Sequence, residues 1–420
     1  MNPAKTYLVG GAVRDGLLGI PPRSRDWVVV GSTPEALLEQ GFSQVGAVFP
    51  VFIHPETREE YALARTEKKA GRGYHGFAVD FHPGVSLEED LERRDLTINA
   101  IARDESGELI DLHGGLEDLE AKVLRHVSLA FEEDPLRVLR VARFAARLAD
   151  FEFTVHPDTL KLMRRITESG ELADLAAERV WAEICDALAT PRPSRFIEVL
   201  RDCGALAELL PEIDALFGVP QAKQYHPEVD AGVHVMMAMD MAASLAAGKP
   251  AAEVVFAVLL HDLGKGVTPE DVLPSHHGHE KAGLPLVEAV CERVRASGEY
   301  RALALIVCEH HLRCHRLLEM RPEKIMSLIE SADFIRRPQR LDGFLAACEA
   351  DYRGRKGLDE RSYPQAELLR TALDVVLAIK ARDLGTEATG PEVGAALRKA
   401  RVEAISLIDR GEGTRDGSAA

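Results

Sequence analysis

At 420 residues the chain is too long for one small core, and a domain size of roughly 100–200 residues implies two to four units. Nearly half of the residues are hydrophobic, yet no run approaches the roughly 20 apolar residues that a membrane-spanning helix needs, which excludes an integral helical membrane protein. The formal net charge of −17 excludes a protein that coats nucleic acid non-specifically, because phosphate neutralisation needs concentrated Lys and Arg.

The N-terminal MNPAKTYLVGG passes straight into a short apolar strand without the features of a secretory signal, so a cytoplasmic location is expected. The first part then alternates β-rich runs with turns and helices: TYLVGG, DWVVVG, VFPVFIH, EEYALAR and ELIDL. Within Leu8 to Gly19, LVGGAVRDGLLG reads as a strand, a Gly-Gly turn and a helix carrying Arg14. Gly10 and Gly11 permit close backbone approach, and a helix N-terminus favours an anionic phosphate that Arg14 can clamp. A plain strand-to-helix turn is the competing reading. Ser24, Arg25 and Asp26 lead into the strand Trp27 to Val30, where residues two apart share a face, so Ser24 and Asp26 point together. A two-metal nucleotidyl transfer needs carboxylates that bridge Mg²⁺, and only Asp26 of this pair is acidic. Glu59 and Glu60 alternate in facing, so one of them is placed to approach Asp26 from a neighbouring strand.

The charged, glycine-containing RTEKKAGRGYHG, Arg65 to Gly76, suits a mobile loop. In Arg93-Arg94-Asp95, Asp95 can accept from a ribose hydroxyl while Arg94 meets phosphate; a surface capping pair is the alternative. Glu133-Asp134-Pro135-Leu136-Arg137 opens a helix, with Asp134 and Arg137 able to offer acceptor and donor edges to a base, or with Asp134 acting simply as an N-cap. Arg140, Arg143 and Arg147 share a helical face with Arg137, beside an apolar stripe of Val138, Val141, Ala145 and Leu148. Basic residues outnumber acidic ones from Arg137 to Arg165, against the trend of the whole chain.

From about Pro135 the pattern is helical throughout. The loop-rich LLPEIDALFGVPQAKQYHPEVDAG separates two helical blocks. The second block holds His234, the run VVFAVLLHDLGKG with His261-Asp262, the cluster His276-His277-Gly278-His279, His310-His311 and Asp351. A His-Asp doublet ending an apolar helix suits a divalent metal with mixed N and O ligands. Six cysteines, none in a CxxC arrangement, read as reduced and mostly buried, and the tail RGEGTRDGSAA has nothing apolar to bury and is expected to be disordered.

GGAVRDGLLG, RDWVVVGSTP, EEYALARTE, RRDLTINA and EDPLRVLRVARF, in that order, resemble the bacterial class II tRNA nucleotidyltransferases, the CCA-adding enzymes, and HDLGK with its partners resembles the HD phosphohydrolase domain. The resemblance implies an α+β chain: a nucleotidyltransferase head similar to DNA polymerase β over 1–136, an all-α neck and body for nucleotide selection and tRNA binding over 137–225, an all-α HD domain over 226–356 and a helical tail over 357–420. It implies Mg²⁺ at Asp26, and nucleotide binding by Gly11, Arg14, Arg94, Asp95, Asp134, Arg137, Arg140 and Arg143, with Asp134 and Arg137 as an amino-acid template that selects C and A. The 65–76 segment matches a loop required for adding the terminal A. His234, His261, Asp262 and Asp351 fit the HD metal positions, for Ni²⁺ or Mg²⁺, with His279 and His311 left for a second metal or for phosphate.

The implied activity is template-independent addition and repair of the tRNA 3′-terminal CCA from CTP and ATP, by a monomer or homodimer with no membrane partner. The HD domain implies phosphohydrolase action as a 2′,3′-cyclic phosphodiesterase, 2′-nucleotidase or phosphatase. One departure matters: the family carries Asp-x-Asp, or a Glu variant, where this chain has Ser24-Arg25-Asp26. A neutral hydroxyl is a weak Mg²⁺ ligand, so two rival readings stay open: a tRNA-binding HD phosphohydrolase with an impaired head, and a poly(A) polymerase relative.

Overall fold

In a computed structural model of the chain, the described residues are 4–22, 24–46, 50–69, 77–246, 251–384 and 391–409. The RGEGTRDGSAA tail and residues 70–76 of the predicted loop lie outside them. The chain forms two compact units, one of Met1–Ala187 with Arg195–Leu209 and one of Leu188–Ser194 with Leu210–Ala420.

The first unit is built on nine strands among the described residues of its N-terminal part: β1 (Lys5–Val9), β2 (Asp26–Val30), β3 (Ser43–Val45), β4 (Val51–Ile53), β5 (Glu60–Leu63), β6 (Thr66–Lys69), β7 (Phe77–Asp80), β8 (Ile101–Arg103) and β9 (Leu109–Asp111). Seven of them make one mixed sheet in the order β3-β4-β5-β2-β1-β8-β9. The β2–β5 pair is parallel, with Asp26 opposite Glu60, and the others are antiparallel. The segment expected to be a loop from Arg65 begins instead as a strand, since β6 pairs with β7 in an antiparallel hairpin.

Period-two alternation on β2 and β5 decides what faces the site. Val28 packs with Val9, Ala64, Leu91 and Ala100 on one side of the sheet, while Val29 packs with Leu37, Phe52 and Leu63 on the other. By the same parity Asp26 and Glu60 project on the Val28 and Ala64 side. Glu59 belongs to the opposite side, where its carboxylate accepts from Trp27 Nε1 at 2.9 Å and pairs with Arg25 at 3.5 Å. Of the two neighbouring glutamates, then, Glu60 shares the face of Asp26.

The helix Arg137–Arg147 follows a short helical turn, Leu129–Glu133. Val138, Leu139, Val141, Ala142 and Ala145 are fully buried on it, as its apolar stripe requires.

The second unit is helical. At its centre lies the helix Ala252–Leu260, whose residues Val254 to Leu260 are all buried. A helix apolar on every side has no solvent face and must be surrounded, and it packs against the helices Ala231–Leu245, Gly298–His315 and Arg340–Arg353. Its next two residues, His261 and Asp262, are therefore carried into the interior, each 1% exposed. Gly264 lets the helix His279–Val294 approach, because a Cβ there would lie 1.9 Å from the His279 carbonyl oxygen and 2.8 Å from Gly283 N. Gly264→Ala is expected to lower stability by about 1–3 kcal/mol through overpacking and to displace His279. A thermal melt reads the first effect, and a variant as stable as the parent would contradict it.

Candidate nucleotide cleft and histidine cluster

A cleft of about 580 Å³ opens on the Asp26 side of the sheet in the first unit. Nine arginines line it, against six carboxylates, so its local balance opposes the −17 of the chain and suits a polyphosphate. Gly10 and Gly11 form its floor between β1 and the helix Gly11–Leu17. Gly10 takes φ +70°, and a Cβ there would come 3.1 Å from Arg94 Nη1, so the turn needs glycine both for its backbone and for the guanidinium beside it.

The predicted nucleotide residues all line this cleft, but they are braced rather than solvated. Arg14, only 3% exposed, donates to Asn99 Oδ1 at 2.5 Å and to Asp15 Oδ1 at 2.6 Å. Arg147 donates to the other Asp15 oxygen at 2.6 Å. Arg94 pairs with Asp90 at 3.0 Å. Asp95 Oδ1 accepts from the Asn99 amide at 3.0 Å, and its Oδ2 accepts from Arg140 Nε at 2.8 Å. Burial alone would raise the Asp95 pKa, but the charges of Arg140 and Arg137 and the Asn99 amide hold it well below the usual carboxylate range. Arg143 donates to Glu183 at 2.5 Å, and the guanidiniums of Arg143 and Arg14 lie 4.5 and 4.9 Å from the Phe144 ring centroid.

The Asp134 and Arg137 side chains are also engaged. Asp134 accepts from Arg179 at 2.8 Å and caps Leu136 N at 3.1 Å. Arg137 donates to the backbone carbonyls of Ala130 and Arg93 at 2.8 and 2.5 Å. The helix itself runs from Arg137, with Leu136 as its N-cap, so Asp134 caps the preceding turn rather than the helix. Sequence reasoning did not single out Arg179, Glu183, Asp15 or Phe144; the i,i+4 pair in ERVWAE was the one available signal.

Arg140→Ala is expected to leave Asp95 buried without its principal cation, at a cost of about 1–3 kcal/mol, since the Arg140 side chain is itself partly solvated, and to raise the KM for nucleotide. Urea unfolding with steady-state kinetics checks both, and an unchanged midpoint would contradict the pairing.

Ser24, Asp26 and Glu60 line the same cleft. Burial pushes the Asp26 pKa up, against the opposing influence of Arg94 and the Ser24 hydroxyl. A half-buried carboxylate so burdened, with a second carboxylate on the adjacent strand, fits a divalent cation.

In the second unit, His234, His261, Asp262, Asp351, His279 and His311 come together, each at most 6% exposed. Asp351 Oδ1 is 3.0 Å from His234 Nε2 and 3.6 Å from His261 Nε2. Asp262 Oδ2 is 3.2 Å from His261 Nε2, and Asp262 Oδ1 is 3.1 Å from His279 Nε2 and 3.7 Å from His311 Nε2. The Nδ1 atoms of His261, His279 and His311 sit 2.7, 2.7 and 3.0 Å from the carbonyls of Val258, His276 and Val307. A carbonyl can only accept, so each Nδ1 carries a proton, and each ring in its neutral form presents the Nε2 lone pair inward, as a metal ligand must.

His261 Nε2 and Asp262 Oδ1 are buried without an aligned hydrogen bond, although polar neighbours lie within 4 Å. Ligand atoms of His234, His261 and Asp262 lie within 4.8 Å of one another, close enough to hold one cation. Two such groups share Asp262: His234 with His261, and His279 with His311. Asp262 and Asp351 push the His261 pKa up to about 10 in spite of burial, a measure of the negative charge gathered there. Glu228, 3.1 Å from His234 Nδ1, and Lys265, 2.6 Å from Asp262, complete the surroundings; no sequence motif marked Glu228. The six cysteines lie outside any disulfide, all buried except the half-buried Cys185, and no helix among the described residues is long and apolar enough to cross a membrane.

Three family models match: "Poly A polymerase head domain" over residues 6–125, "Probable RNA and SrmB- binding site of polymerase A" over 152–217, and "HD domain" over 232–340. The chain is 58% identical to the multifunctional CCA protein of Thioalkalivibrio sulfidiphilus, covering 96% of this chain and 98% of that one. It is 55% identical to the protein of the same name from Hahella chejuensis, covering 95% and 94%. Among solved structures, the Bacillus stearothermophilus CCA-adding enzyme in complex with CTP superposes with TM-score 0.62 at 24% identity, over 96% of this chain and 89% of that one. The Thermotoga maritima CCA-adding enzyme complexed with tRNA gives TM-score 0.60 at 18% identity, over 97% and 89%.

Proposed function

Since the chain belongs to the family of multifunctional CCA proteins, we propose that it adds and repairs the 3′-terminal CCA of tRNA from CTP and ATP without a nucleic-acid template. The observation that carries this is the arginine-lined cleft with Asp26 and Glu60 on one face of β2 and β5. Arg14, Arg94, Arg140 and Arg143 bind the triphosphate, and Asp95 meets the ribose. Asp134 and Arg137 present base-selecting edges once Arg179 and the backbone carbonyls yield them. Asp26 and Glu60 would hold Mg²⁺, which would lower the pKa of the attacking 3′-hydroxyl and offset the charge of the leaving pyrophosphate. Ser24 contributes a neutral oxygen where the family has a carboxylate, which leaves Glu60 as the second anionic ligand.

The HD unit is a divalent-metal phosphohydrolase acting on 2′,3′-cyclic phosphates or phosphomonoesters, with His234, His261, Asp262 and Asp351 at one cation position and Asp262, His279 and His311 at the next. A divalent metal held by these residues would lower the pKa of an attacking water and polarise the phosphoryl oxygen. Both activities work on one chain in the cytoplasm.

The assignment is tested by incubating the protein with tRNA lacking its CCA end, Mg²⁺, and each nucleoside triphosphate separately and together. Extension by CTP and ATP, and none by GTP or UTP, supports it. A long adenylate tail would instead identify a poly(A) polymerase. Absence of any extension, with cyclic-phosphate hydrolysis intact, would leave the HD unit as the working enzyme, the outcome that the loss of a carboxylate at Ser24 makes worth testing.

A further inference from the structure

Asp351 has its two oxygens engaged on different sides. Oδ1 lies among the converging ligand atoms, 3.0 Å from His234 Nε2. Oδ2 is 2.6 Å from His315 Nε2, and the other nitrogen of that ring is 3.0 Å from the Tyr363 hydroxyl. His315 sits one turn beyond His311 at the end of the helix Gly298–His315. Tyr363 comes from the segment leading into the helix Gln365–Ala378, past every motif of the HD unit. It is 7% exposed, and its hydroxyl also lies 3.3 Å from Cys314 Sγ, so its polar end is held inside the unit.

We propose that His315, oriented by Tyr363, is a positioning residue that keeps Asp351 a one-oxygen ligand of the divalent cation. The inference rests on the metal reading of the histidine cluster. A carboxylate can only accept, so His315 carries its proton on Nε2 and donates it to Oδ2. Nδ1 is then the acceptor, and the Tyr363 hydroxyl, 3.0 Å from it and 3.3 Å from Cys314 Sγ, is the donor placed to fix both the tautomer and the plane of the ring. With Oδ2 occupied in this way, Oδ1, which Arg355 Nη2 also approaches at 3.4 Å, is the oxygen left for the cation. Carboxylates bind hard cations through one oxygen or two, and an unbraced Asp351 is free to turn between these arrangements or away from the site. The geometry is a hydrogen-bonded support behind a metal ligand, and loss of such supports typically weakens metal binding by about 10–100-fold.

The test uses the full chain, stripped with chelator and carrying Asp26→Asn so that the head does not contribute a cation. Mn²⁺ is titrated and free Mn²⁺ is read by electron paramagnetic resonance. His315→Ala is expected to bind about 10–100-fold more weakly than the parent. His315→Gln, whose amide N–H can take the place of Nε2–H, should recover most of the affinity. Histidine ¹⁵N spectra of the metal-free protein should show an Nε2–H tautomer for His315, and Tyr363→Phe should broaden or shift that signal.

Equal Mn²⁺ affinity of His315→Ala and the parent would overturn the inference while leaving the metal site intact. A parent that shows no Mn²⁺ binding sensitive to His261→Ala would overturn the metal reading itself. If His315→Ala fails to fold, Tyr363→Phe decides, because an unchanged His315 signal together with unchanged affinity contradicts the proposed support.

Discussion

Asp26→Asn will lower the rate of nucleotide addition to tRNA by on the order of a thousandfold, comparable to removing a principal electrostatic stabiliser from other active sites. The expectation comes from position and burden together. β2 places Asp26 on the cleft side of the sheet, and burial raises its pKa against the influence of Arg94 and Ser24. A bound cation would relieve that burden, and the amide cannot recruit one. Single-turnover incorporation of CMP measures the loss, with a thermal melt to show that folding is kept. A variant within tenfold of the parent would remove Asp26 from the chemistry. In the opposite direction, Ser24→Asp adds an anionic ligand two residues away on the same face, and should lower the Mg²⁺ concentration needed for half-maximal rate. An unchanged Mg²⁺ requirement would show that the serine does not limit metal binding.

Asp262→Asn will abolish phosphohydrolase activity, with a loss of at least about a hundredfold, while CCA addition continues. Asp262 is the carboxylate common to both candidate cation positions, 3.2 Å from His261 and 3.1 Å from His279, so its neutralisation weakens each. Hydrolysis of a 2′,3′-cyclic nucleotide in the presence of Ni²⁺ or Mg²⁺ is the readout, beside tRNA extension in the same preparation. Retention of hydrolysis would move the chemistry elsewhere, and parallel loss of both activities would contradict two independent sites.

Much of this was legible from spacing. The strands at Lys5–Val9, Asp26–Val30 and Glu60–Leu63 follow the β-rich runs, and the His-Asp doublet lies at the end of an apolar helix as expected. The strand Ile101–Arg103 was not legible: three residues are too few to show alternation, and its place is set by pairing with β1 and β9. Period-two facing narrowed the companion of Asp26 to one of two neighbouring glutamates, but choosing Glu60 required the parallel β2–β5 register.

The arginine stripe of the helix Arg137–Arg147 was visible, but its partners were not. Asp15, Asp95 and Glu183 come from 132, 45 and 40 residues away along the chain. His315 and Tyr363 escaped notice for a related reason, since a residue that supports a ligand from behind carries no fixed spacing to it.

The most direct test of the central claim, that Glu60 supplies the second anionic ligand in a head whose first carboxylate position is Ser24, is single-turnover CMP addition to tRNA lacking CCA by the unaltered chain and by Glu60→Gln. Efficient extension by the parent and a loss of roughly a hundredfold or more in Glu60→Gln are expected. Extension that is indifferent to Glu60→Gln, or absent from the parent, would contradict the account.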